Sequence, residues 1–180
     1  MINLTRLFLC TMVIMSLIAT NGCTDGTSEG LKVITSEDGF CQLEVPNDWS
    51  LQSDLNDYAN IQAANFHEDL YVITISEYKI DFTDDYTLES YSDISLQNFA
   101  DGVTDFVITS GPTRLEINGQ RALQYEIRAE SEGANVVAII TIVNGDKGFH
   151  QIMTWTILSK YEKNKSLLKS VTNSFREISY

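Results

Sequence analysis

The sequence predicts an α+β fold, a sheet built from hairpins with a helix docked on it, and three observations carry that prediction. Asn118-Gly119 and Asn144-Gly145 each stand between two β-rich runs. Asn-Gly in that setting is the strongest short hairpin signal, because both central residues of a type I′ turn need positive φ. Behind the second hairpin, Ser159-Lys160-Tyr161-Glu162 spells a capping box, and Leu168, Val171 and Phe175 repeat at helical spacing. Strands, one helix, more strands and a closing helix give an α+β order.

The chain opens with an export signal. Met1–Arg6 carries one positive charge, Leu7–Ala19 is a 13-residue apolar run, and Ala19-Thr20-Asn21-Gly22-Cys23 closes it. A bilayer span needs about 20 apolar residues, whereas a run of this length suits the apolar region of a signal peptide. The Gly22-Cys23 ending resembles the lipobox of bacterial lipoproteins, which implies acylation of Cys23 and a mature chain that starts there. Thr20 and Asn21 stand where a leucine and a small residue are usual. Loss of residues 1–22 leaves 158 of 180 and removes Arg6, so the formal charge moves from −13 to −14. That length supports one domain burying roughly two thirds of its unfolded surface. So acidic a chain is repelled by nucleic acid and by anionic headgroups, which leaves the lipid on Cys23 as its means of holding a membrane.

Residues 23–30 are small, polar and charged, a flexible tether before a single domain over 31–180. A short strand is expected at Lys32–Thr35 and another at Phe40–Val45, ending at Pro46-Asn47-Asp48-Trp49 where proline stops ladder pairing. Cys41 shares a strand face with Leu43 and Val45 and reads as a small buried hydrophobe. Ile61–Phe66 and Leu70–Tyr78 form a hairpin across His67-Glu68-Asp69, and Lys79–Tyr86 is a loop. Thr87 caps a helix reaching about Asp101, with Leu88, Tyr91, Ile94 and Phe99 inward and Gly102 near its end. Phe106–Ser110 is the next strand, and Gly111-Pro112 turns the chain into the closing block. There Val136–Val143 is apolar on both faces and therefore central. Arg121–Ala129 alternates, with Leu123, Tyr125 and Ile127 on one side and Gln124, Glu126 and Arg128 on the other, so part of the sheet meets water.

The chain contains no GxSxG, P-loop, HExxH, CxxC or EF-hand pattern. Its two histidines are His67, in a turn, and His150, opening a strand; both read as surface or edge residues, and no cofactor or metal is called for. Asp81, Asp84, Asp85, Glu89 and Asp93 make the densest acidic run, which the helix dipole explains in part; a weak calcium site is the sharper alternative. Tyr78, Phe82, Tyr86 and Tyr91 surround that run. Such rings either pin a crossover loop to the sheet or form a recognition patch. Tyr78, Phe82, Asp84, Asp85 and Tyr86 are accordingly the expected partner-binding residues, since loops carry recognition more often than the elements they join.

Three stretches carry a family resemblance: Gly39-Phe40-Cys41-Gln42-Leu43-Glu44-Val45-Pro46-Asn47-Asp48-Trp49, Asn118-Gly119-Gln120-Arg121-Ala122 with Tyr125-Glu126, and Asn173-Ser174-Phe175. With these the mature chain resembles the PsbP-like superfamily. That superfamily includes an extrinsic subunit of the photosynthetic oxygen-evolving complex, a nuclear-import factor that binds the GTPase Ran, and many bacterial envelope lipoproteins. The resemblance implies an antiparallel sheet with helices packed on its faces, an α/β/α sandwich, and a function that is not catalytic in most members. None of the family's metal or docking residues carries over to positions here. The resulting expectation is a lipid-anchored envelope protein that binds a protein partner as an accessory or assembly factor. A carrier holding a lipid or apolar segment in a groove, and a hydrolase with an unrecognised site, stay open as alternatives.

Overall fold

The computed structural model describes residues 30–83 and 85–178. The expected export signal, Cys23 and Asp84 lie outside them. Five strands come first: β1 (Leu31–Thr35), β2 (Cys41–Pro46), β3 (Ser50–Leu51), β4 (Ile61–Asn65) and β5 (Leu70–Tyr78). Helix α1 (Leu88–Asp101) follows, then β6 (Thr104–Ile117), β7 (Gln120–Ser131), β8 (Ala134–Asn144) and β9 (Gly148–Ile157). Helix α2 (Tyr161–Asn173) and the two-residue β10 (Arg176–Glu177) close the chain.

Seven strands make one antiparallel sheet in the order β3-β4-β5-β9-β8-β7-β6. Strand β8 lies inside it and is buried without a break from Val136 to Val143, as a run apolar on both faces requires. Its even-numbered apolar residues Val136, Ala138, Ile140 and Ile142 enter the core under α1. Val137, Ile139 and Val143 enter a second core with Leu168 and Val171 of α2. Each such Val or Ile contributes about 1.5–3 kcal/mol by leaving water. The expected sheet with a helix on each face is present.

Beside α2 lies something the sequence reading did not anticipate, a second sheet of order β1-β2-β10. Cys41, Leu43 and Val45 of β2 point from it into the α2-side core, each with no exposed surface. The last strand pairs Arg176 with Gln42 and Glu177 with Cys41. Ser174 Oγ reinforces the join, accepting from the Glu44 amide at 2.9 Å.

Several local expectations are corrected. The Asn118-Gly119 turn has φ of 49° and 83°, as its type demands. The second hairpin instead closes over Gly145–Lys147, with the Gly145 amide bonded to the Gly148 carbonyl and positive φ at neither Asn144 nor Gly145. Glycine is needed there for room, since a Cβ on Gly145 would lie 1.8 Å from Glu177 Oε2. Ser159 does not cap α2: a 3-10 turn over Leu158–Lys160 delivers the chain, and the Tyr161 amide bonds the Leu158 carbonyl. Phe175 lies just past the end of α2 rather than within it.

Helix α1 is capped as expected, with the Ser90 amide donating to Thr87 Oγ1 at 3.1 Å. Ile94, however, is 38% exposed, and Leu96 takes the inward place. At about 100° per residue Leu88, Tyr91, Leu96 and Phe99 share a stripe, and Ile94 falls off it. Finally, Gly111-Pro112 is not a turn, because β6 runs through it with register shifts on the N-terminal side and at the Pro112 step. Proline is tolerated there because β6 is the edge strand and needs no second ladder.

Candidate functional site

On the α1 side, the row of residues at one end of the large sheet crosses five strands. Antiparallel register pairs Glu116 with Arg121, places Asn144 one residue beyond the Ala122–Val143 pair, and pairs Asn144 with Phe149 and Phe149 with Glu77. The loop between β5 and α1 folds over this end. A cleft remains between them, in two adjoining hollows of about 450 and 310 Å³ that share Leu88, Glu89 and Arg121. Arg121, Asn144 and Phe149 line the larger hollow from the sheet, and Lys79, Phe82 and Tyr86 line it from the loop. The smaller continues over Arg114, Glu116 and Leu123.

Aromatic packing fixes the loop. Phe82 stacks on Tyr86 at 4.7 Å between ring centres and meets Phe149 and Tyr91 edge-on at 5.6 and 5.8 Å. Tyr91 lies flat on Phe149 at 4.9 Å and donates its hydroxyl to Glu77 Oε2 at 2.8 Å. Burial first, then Glu77, pushes the Tyr91 hydroxyl far up, so it stays a donor. The same two causes raise Tyr86. Lys79 reaches back over the Phe149 ring at 5.3 Å and donates to the Gly145 carbonyl.

Of the five expected partner residues, Phe82 and Tyr86 meet in this cleft and Asp85 is exposed in the loop. Tyr78 is elsewhere: it points to the opposite face and stacks on Phe40 at 4.2 Å. Sequence reasoning missed Arg121, Asn144 and Phe149, which only cross-strand register brings beside the loop. Because Phe82 leans on three rings, Phe82→Ala is expected to cost about 1–3 kcal/mol, less than a fully enclosed ring. A melting temperature equal to wild type would refute that packing.

A second polar group sits on the other face. His150 was expected at the surface, yet it has no exposed area. Its Nδ1 lies 2.9 Å from Ser76 Oγ, and its Nε2 lies 2.8 Å from Glu177 Oε2, on a carboxylate side chain 1% exposed. The reason is register: His150 shares its strand face with Ile152 and Thr154, which face α2 and the small sheet. Burial raises the Glu177 carboxyl, but the His150 bond and the Lys147 and Gly148 amides outweigh it and hold the group below the usual range. Hydroxyl, imidazole and carboxylate are the ingredients of a nucleophilic triad. Here both ring nitrogens are taken, and Phe40 and Phe175 flank the ring at 5.1 and 4.9 Å, so the group joins the two sheets. Cys41 Sγ is 3.7 Å from Ser76 Oγ, and burial pushes its thiol up, away from nucleophile chemistry. His67 is exposed in the β4–β5 turn. Among the described residues no three of His, Cys, Asp and Glu converge to hold an ion, and no helix is long and apolar enough to cross a membrane.

An antiparallel sheet with a helix on each face, joined to a small sheet closed by the chain's end, is the PsbP-like fold. The cyanobacterial PsbP of Synechocystis sp. PCC 6803 superposes with a TM-score of 0.61 at 14% identity, covering 88% of this chain and 98% of that one. LpqN of Mycobacterium tuberculosis, involved in cell envelope biogenesis, gives 0.60 at 12%, covering 83% and 91%. The Ran-binding protein Mog1p of Saccharomyces cerevisiae gives 0.51 at 13%, covering 83% and 96%. No family model matches the sequence, and no curated protein is similar to it. At such identities the likeness is one of fold.

Proposed function

We propose that this chain is an accessory protein of the cell envelope, anchored by lipid on Cys23, that docks a protein partner at the cleft between the 79–87 loop and the sheet. One observation carries the docking: Ile80, between the cleft residues Lys79 and Phe82, is 90% exposed. An aliphatic side chain held in water at the rim of an aromatic-walled cleft gains most when a partner covers it. Packed cores occupy both faces of the large sheet, which favours docking over the carriage of a lipid in a groove. The sealing of His150 favours binding over hydrolysis. That the same fold serves a Ran-binding protein and an envelope-biogenesis protein supports this choice.

One experiment in intact cells tests both halves. A photo-crosslinking residue at Ile80 should yield one discrete protein adduct that the same residue at Val107, exposed on β6, does not. A fatty-acid analogue should label the wild type and not Cys23→Ala. Identical adducts at the two positions would end the docking reading, and equal labelling would end the anchor.

A further inference from the structure

We propose that the cleft receives one carboxylate carried on a peptide segment of the partner, with Arg121 as its counter-ion. This rests on the docking reading and specifies what docks. Three basic side chains line the cleft, and two are already engaged. Arg114 Nη2 pairs with Glu89 Oε1 at 3.2 Å, and Lys79 is tied to the Gly145 carbonyl and the Phe149 ring. Arg121 has no ion pair or side-chain hydrogen bond among the described residues, and even its cross-strand neighbour Glu116 is beyond ion-pair distance. In a chain with 25 acidic and 12 basic residues, carboxylates are abundant, yet none of those described has taken this guanidinium.

Arg121 is an exposed member of the cleft lining, with Asn144 beside it on the sheet. An acidic residue in a peptide provides a carboxylate for it, with planar bidentate geometry for the guanidinium. Phe82, Tyr86 and Phe149 then offer an apolar wall to the adjoining side chain. A phosphate is the poorer match, because Glu89 and Glu116 share the lining and repel the higher charge.

The test uses acetyl-Leu-Glu-Phe-amide and its Gln counterpart as probes, titrated into the purified protein and followed by NMR shifts. The Glu peptide should perturb the Asn144 side-chain amide and Phe149, and bind about tenfold more tightly than the Gln peptide, equivalent to about 1.4 kcal/mol. Arg121→Gln should bring the two peptides together without moving the melting temperature, and Arg121→Lys should restore part of the difference. Equal affinity of the two peptides for wild type, no shift with either at millimolar concentration, or displacement by inorganic phosphate below the peptide's own concentration would each overturn the proposal. In cells, an Ile80 adduct undiminished by Arg121→Gln would overturn the carboxylate while leaving docking intact. An adduct absent from wild type would remove docking itself.

Discussion

Glu177→Ala is expected to lower the unfolding free energy by about 3–5 kcal/mol, the usual cost of leaving one member of a buried pair alone. The substitution strips His150 Nε2 of its partner at 2.8 Å and frees the Lys147 amide, which donates to Glu177 Oε1 at 2.9 Å. It also breaks the side-chain bond that joins β10 to His150 of β9. Acid should mimic it. The folded carboxyl is held below its usual value of 4.5, so its ionised form stabilises the fold. That contribution is complete above the usual value and disappears as pH falls through the lower value of the folded state. Denaturant melts of wild type should therefore weaken as pH drops below about 4.5, and those of Glu177→Ala should weaken less over the same interval. A stability loss under 1 kcal/mol at neutral pH would mean that the pair does not hold the sheets together.

Phe175→Ala should cost a similar amount, about 3–5 kcal/mol, because the ring is fully enclosed and a cavity would replace it. This is a large share of the 5–15 kcal/mol typical of a whole domain. Its ring stands 4.9 Å from that of His150, and its carbonyl accepts from Asn118 Nδ2 at the hairpin tip. Since the two sites share His150, the double variant should lose less than the two single losses combined. Additive losses would show that ring and carboxylate act separately.

Much of the large sheet was legible in the sequence for local reasons. Asn118-Gly119 turned the chain at the position and with the dihedrals its chemistry demands, Thr87 capped α1, and the Leu168–Val171 stripe found the core. What stayed hidden was made by distant parts. A strand of two residues has no period, so Arg176–Glu177 could not announce itself, and its partner Gln42 is far away in the chain. The inward face of His150 was readable from its parity with Ile152, but only by assigning β9 as buried on both sides first. In the cleft, Phe82 and Tyr86 stood out as rings in an aperiodic loop. Arg121 read as the end of a strand and Asn144 as half of a turn, because register, not spacing, makes them neighbours.

The small sheet also sets a schedule for synthesis. Strand β2 emerges early with Cys41, Leu43 and Val45 pointing at a core that does not yet exist. The Glu44 amide finds its partner only when Ser174 arrives, 130 residues later. At about 5–20 residues per second that delay is on the order of ten seconds. For that time the nascent chain presents an unfinished edge, open to chaperones. A ribosome that stalls before Ser174 leaves β2 without its closing strand, so a truncated product should be cleared by proteolysis rather than persist as a shortened domain.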